Sequence, residues 1–144
     1  MEPATVNLTI PAKADCIDVA RLALYGVATR MGYSFEEIED MKVAVSEACN
    51  NAVLHGYGEE IGRIELTFEM LEDRLRISVA DDGGGVPSDL RVPRQSPLLS
   101  GSLSEVEEGG LGIFLMQALM DEMEVNLRQS GTEIVMTKYL PQPN

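Results

Sequence analysis

The chain has 144 residues, with 24 acidic against 11 basic side chains, a net charge of −13 and a pI near 4.3. That length buries a proper core without metal or disulfide staples, and 44% hydrophobic with 24% charged residues excludes wholesale disorder. The acid excess excludes nucleic acid as a direct ligand, because phosphate contacts need clustered cations, and it disfavours an anionic membrane.

In chain order, Val6, Leu8 and Ile10 alternate with polar residues and then meet Pro11, which predicts a short strand. From Asp15 the period changes: Ile17, Ala20, Leu24, Val27 and Met31 mark an amphipathic helix ended by Gly32. Ser34 and Glu37 have the spacing of a capping box. They open a second helix, with Ile38, Met41, Val45, Ala48 and Ala52 on one face, running to about His55-Gly56. Ile64, Leu66 and Phe68, then Leu75, Ile77 and Val79 across a Glu72-Asp73 turn, predict an antiparallel hairpin with one face on the helices. A stretch over about 86–109 lacks periodicity and is long for a passive connection, so a lid is expected there. A third helix opens at Gly109-Gly110-Leu111-Gly112, carries Ile113, Met116, Leu119 and Met120, and fades near Glu122. Val125 and Leu127 suggest a strand, and Ser130-Gly131 turns into a last one, Glu133 to Leu140. The whole reads as a single domain over 1–144. Its fold class is α/β (α+β): a two-layer sandwich with a largely antiparallel mixed sheet and helices on one face.

The three lysines, Lys13, Lys42 and Lys138, follow no glycine run, so no Walker P-loop exists, and the one histidine, His55, excludes multi-histidine metal sites. Cys16 and Cys49 lie in apolar, helix-like stretches and read as buried free thiols of a reducing compartment. The amino terminus lacks a basic start and an apolar signal core, and no apolar run approaches the ~18 residues of a membrane span. The expected location is the cytoplasm.

Three clusters carry possible chemistry. Glu47 and Asn51 are one helical turn apart on one face, and Asn50-Asn51 is a poor choice for helix stability alone. A carboxylate can take a proton and an amide oxygen can ligate a hard cation; the competing reading is a solvated polar face. Asp81-Asp82-Gly83-Gly84-Gly85 places a carboxylate at a strand end beside bare backbone, suited to accept from an exocyclic amino group such as adenine's, or it is an acidic turn. Gly109, Gly110, Leu111 and Gly112 leave helix amides uncovered, either an anion site or a hinge. Gly131-Thr132 is a weaker signal, since glycine-led turns are common.

The order of these clusters resembles the Bergerat-type ATP-binding fold shared by gyrase-type ATPases, Hsp90 and histidine kinases, with its N box, aspartate-glycine box, lid and second glycine box. The stretches PAKADCIDVARLALYGVATRMGYSFEEIEDMKVAVSEACNNAVLHGY, EDRLRISVADDG, EGGLGIFLMQALMDEM and MTKYL are similar to those of the anti-sigma factor serine kinases. That resemblance implies an ATP-dependent protein-serine kinase, releasing ADP, in which Glu47 is the general base and Asn51 holds Mg²⁺. It also implies that Asp81 takes the adenine amino group, with Gly83 and Gly85 admitting the base. Gly109, Gly110, Leu111 and Gly112 would surround the phosphates, Thr132 would line the adenine pocket, and Asn50 and His55 would lie beside the machinery. His55 either contacts phosphate or caps its helix. Some relatives carry an arginine shortly before the second glycine box; here Glu107-Glu108 stands there, leaving Arg91 and Arg94 in the lid as candidate cations.

The implied partners are a sigma factor of the sigma-B type, an anti-anti-sigma protein phosphorylated on serine, and a second copy in a homodimer. The alternatives are a stressosome-type switch kinase without sigma binding and a non-catalytic module holding ATP as a structural ligand. A gyrase-like hydrolase and a histidine kinase are not expected at this length, which leaves no transducer domain and no phosphoacceptor helix.

Overall fold

Alternation and helical periodicity are both realised. The computed structural model describes residues 3–56, 62–82 and 111–142, with backbone alone over 54–56, so the expected lid at about 86–109 lies outside the described residues. Strand β1 (Ala4–Pro11) leads through a single 3-10 turn (Ala14–Cys16) into helix α1 (Ile17–Met31). Helix α2 (Phe35–Gly56) follows, then strands β2 (Arg63–Met70) and β3 (Arg74–Asp81). Helix α3 (Leu111–Leu119), β4 (Glu122–Leu127) and β5 (Thr132–Tyr139) complete the described chain.

Local chemistry explains the helix ends. Gly32 stops α1 in the left-handed region at φ +93°, where its N–H reaches the Ala28 and Thr29 carbonyls at 3.2 and 3.1 Å. Ser34 and Glu37 form the reciprocal box expected of them: the Ser34 N–H donates to Glu37 Oε1 at 2.9 Å, and the Glu37 N–H donates to Ser34 Oγ at 3.1 Å. Helix α3 is shorter than its apolar run suggests, because Glu122 belongs to β4. There the Asp121 N–H donates to the Thr137 carbonyl at 2.9 Å, drawing the chain onto β5 before another helical turn forms.

The sheet order is β1-β2-β3-β5-β4, and each described pairing is antiparallel. Register places Phe68 beside Ile77 and Ile77 beside Met136, with Leu66, Val79 and Ile134 in the next row. These rows are buried with Ala20 and Leu24 of α1, Met41, Val45 and Ala48 of α2, and Met116 of α3. The helices therefore cover one face. On the opposite face Glu65, Thr67, Glu69, Arg76 and Ser78 are half-buried or exposed, while Ala80 and Thr137 in the same rows are buried. Among the described residues, no helix is long and apolar enough to cross a membrane.

Candidate functional site

Helix α2 contributes the polar side chains. Its apolar stripe, Met41, Ala44, Val45, Ala48 and Ala52, is buried in the core, which turns Glu47, Asn50 and Asn51 to the border of that stripe, each half-buried. Helix α3 then comes down on two of them. A methyl group at Gly112 would lie 2.9 Å from Glu47 Oε2, 3.6 Å from Glu47 Cβ and 3.7 Å from Asn51 Oδ1. A residue without a side chain lets the first turn of α3 sit this close to the carboxylate and the amide without displacing the carboxylate. The spacing of four between Glu47 and Asn51 thus becomes a shared contact with one backbone position. Asn50 is not among the atoms nearest that position.

A second close approach builds the other candidate group. Asp81 ends β3 with one carboxylate oxygen, Oδ1, withdrawn from solvent. Gly131 lies beside it at φ +109°, and a methyl group there would fall 2.0 Å from the Asp81 carbonyl oxygen. Because Ala80 pairs with Glu133, continuing the register sets Thr132 next to Asp81. The weak Gly131-Thr132 signal therefore belongs with the aspartate. Leu111, the first residue of α3, is 49% exposed. Gly83, Gly85, Gly109, Gly110, Arg91, Arg94 and the His55 side chain lie outside the described residues.

Two groups that hold the helices of the site in place carry no recognised motif. Ser46, immediately before Glu47, is buried; its Oγ accepts from Arg21 Nε at 2.7 Å and donates to the Lys42 carbonyl at 2.7 Å, tying α1 to α2 beside the carboxylate. Lys138 Nζ donates to the Leu119 carbonyl at 2.9 Å, capping the carboxyl end of α3 with a cation where the helix dipole favours one. Tyr33 Oη in turn donates to the Lys138 carbonyl at 2.5 Å. A signal for Lys138 exists in the sequence: it shares strand parity with Ile134 and Met136, so it faces the core side and must find a partner there.

The donor set suits a hard cation that takes few protein ligands. Among the described residues no group of three or more His, Cys, Asp or Glu side chains gathers to hold a metal, so an ion at Asn51 would draw further ligands from phosphate and water. The bare backbone at Gly112 suits an anion, since a helix amino terminus offers N–H groups and the positive end of its dipole.

Comparison with known proteins gives this geometry a context. The family described as "Histidine kinase-like ATPase domain" matches residues 10–138. The chain is 44% identical over 137 residues to "Serine-protein kinase RsbW" of Bacillus subtilis, covering 94% of this chain and 85% of that protein. It is 47% identical over 140 residues to the protein of the same name from Bacillus pumilus, with the same coverage. A crystal structure of the RsbU and RsbW domains of Rv1364c from Mycobacterium tuberculosis superposes with a TM-score of 0.69 at 22% identity. That likeness covers 97% of this chain and about a third (33%) of the other, and it supports the fold. With a family match along most of its length and identities above 40% across most of both chains, this chain belongs to the RsbW serine-protein kinases, which carry the histidine kinase-like ATPase domain.

Proposed function

We propose that the chain transfers the γ-phosphoryl group of ATP to a serine of an anti-anti-sigma protein, and in its other role sequesters a sigma factor of the sigma-B type. The observation that carries the reading is the approach of Gly112 to 2.9 Å from Glu47 Oε2 and 3.7 Å from Asn51 Oδ1. A candidate base, a candidate metal ligand and a helix amino terminus meet at one point. Glu47 accepts the serine hydroxyl proton as that oxygen attacks phosphorus, and the bond from the γ-phosphorus to the leaving ADP oxygen breaks. Mg²⁺, when bound, offsets the charge on the phosphate oxygens, and Asn51 is the residue that would hold it. Asp81 accepts from the adenine amino group, and Thr132 lines the same end. Gly112, with Gly109, Gly110 and Leu111 before it, presents amides to the phosphates.

The protein acts in the cytoplasm as a homodimer in this reading, and binds neither nucleic acid nor membrane directly. The test is radiolabelled phosphate transfer from ATP to a purified anti-anti-sigma protein, with the modified residue mapped. Glu47→Ala should retain ATP and sigma-factor binding while transfer falls at least ~100-fold, the scale of a lost general base. Undiminished transfer by this variant would remove Glu47 from the role of base.

A further inference from the structure

The open face of the sheet carries a cleft that the phosphate chemistry leaves unused. Its volume is about 290 Å³, and it is lined by Arg76, Glu122, Met123, Glu124, Val135 and Thr137. Register explains its shape. Thr137 of β5 pairs with Arg76 of β3 on one side and with Glu122 of β4 on the other, and Val135 pairs with Glu124 in the next row. Residues facing each other share a face, so Thr137 and Val135 form a floor between an arginine wall and a wall of two carboxylates. Arg76 precedes Asp81 by five residues of β3, roughly 17 Å of extended strand, and lies on the face away from the helices. The cleft therefore shares no residue with the candidate nucleotide site.

Two observations point to a ligand. Thr137 is 5% exposed, yet among the described residues its hydroxyl meets no hydrogen-bond partner. A buried hydroxyl ordinarily has one, and the direction left to this one is the cleft that it lines. The charges around it are the second observation. Arg76 Nη1 turns to Glu69 Oε1 at 3.7 Å, and Arg74 Nε donates to Asp73 Oδ1 at 2.9 Å with its guanidinium over the Tyr139 ring. Both neighbouring arginines thus have acids of their own. Glu122 has the neutral Tyr139 phenol, which donates to its Oε2 at 2.9 Å. Among the described residues no cation reaches Glu122 or Glu124.

A cation with several donors in one plane fits this arrangement. Glu122 and Glu124 stand two residues apart on one face of β4, about 7 Å, a gap that one guanidinium spans. Its N–H groups then have carboxylate oxygens beside them and the Thr137 hydroxyl below as acceptors. Val135 and Met123 offer apolar contact to a methylene stem. The volume lies at the small end of ligand cavities and takes one long side chain, not a nucleotide. We propose that this cleft anchors an arginine side chain of a protein partner. A chain with a net charge of −13 attracts basic partners, and arginines seated in pockets are frequent anchors of interfaces. The phosphate-transfer reading does not enter, so either can fail alone.

The probe is the peptide acetyl-Ala-Ala-Arg-Ala-Ala-amide, titrated into the isotope-labelled full-length chain and followed by NMR. The backbone N–H signals of Glu122, Glu124, Val135 and Thr137 should shift and saturate at roughly millimolar peptide, the scale of a single anchoring side chain. A citrulline peptide, of the same shape without the charge, should bind at least ~10-fold more weakly, and a lysine peptide about threefold. Glu124→Gln should weaken the arginine peptide at least ~5-fold, and Thr137→Val roughly threefold, with Thr137→Ser restoring most of the loss. Arg76→Gln removes a like charge and should tighten binding about threefold. Glu65→Gln, on the same face outside the cleft, should change it less than about twofold, which separates the cleft from general attraction to an acidic surface. Dispersion of the same spectra shows that each variant is folded. Equal weakening by Glu65→Gln and Glu124→Gln, equal binding of the citrulline peptide, or shifts that never saturate would each overturn the proposal.

Discussion

Two glycines at the site do different work, and their substitutions should separate. At Gly112 an added methyl group meets the end of a flexible carboxylate at 2.9 Å, so the Glu47 side chain gives way instead of the fold. Alanine is also the better helix former by about 1 kcal/mol. Gly112→Ala should therefore leave the denaturation midpoint nearly unchanged while phosphate transfer falls ~10–100-fold, measured as kcat/KM for ATP. At Gly131 the added methyl group meets backbone at 2.0 Å, in a left-handed conformation. Gly131→Ala should cost about 1–3 kcal/mol in a denaturant titration. A third residue sets a pH limit. Burial pushes the Cys49 thiol up to about 12 from an ordinary value of 9.0, with Arg21 opposing more weakly. Between those values the unfolded chain has lost this proton and the folded chain keeps it, so folding stability falls as pH rises from about 9, by up to ~1.4 kcal/mol per pH unit. Cys49→Ala should flatten that part of the stability-pH curve; an unchanged slope would mean that another group sets it. The buried Tyr33 phenol, also pushed up by burial, acts in the same direction at higher pH.

Helix α3 has nine residues, too short to hold a fixed orientation through its own hydrogen bonds. Its amino end rests on Glu47 and Asn51, and its carboxyl end is fixed to β5 by Lys138 Nζ on the Leu119 carbonyl and by the Tyr139 N–H donating to Asp121 Oδ2 at 2.7 Å. Removing the cation should loosen the end away from the nucleotide and tilt the end that meets it. Lys138→Met is expected to raise the KM for ATP roughly tenfold, the scale of one charge-assisted hydrogen bond, with Lys138→Arg restoring most of it. A lower melting temperature with an unchanged KM would make Lys138 a purely structural anchor. Periodicity and caps were enough to read the elements: Gly32, the Ser34–Glu37 box and the Glu72-Asp73 turn all lie where local chemistry puts them. The meeting of Gly112 with Glu47, and of Gly131 with Asp81, was not legible from spacing. Residues 65 and 50 positions apart are brought together by sheet order and helix packing, which no local period encodes. The early end of α3 was hidden for a similar reason, since the Thr137 carbonyl that captures Asp121 comes from a strand later in the chain.

At the scale of the whole molecule, a net charge of −13 coexists with a binding site for a polyanion. The conflict is resolved by using few full cations. In the function proposed above, backbone amides at the start of α3 and one metal ion on an amide oxygen would hold phosphate while the surface stays acidic. The same reading gives that surface a role toward protein partners. An acidic molecule raises the encounter rate with a basic partner and repels other acidic chains, and the effect is screened over roughly 8–10 Å at ordinary salt. Between about 0.05 and 0.5 M salt, the association rate with the sigma factor should fall at least ~10-fold while the dissociation rate changes little, because steering acts before contact. Stopped-flow mixing at several salt concentrations separates the two rates. An association rate indifferent to salt would mean that the acid surplus serves solubility and that recognition rests on apolar contact. A dissociation rate that rises with salt would place ion pairs inside the bound interface instead.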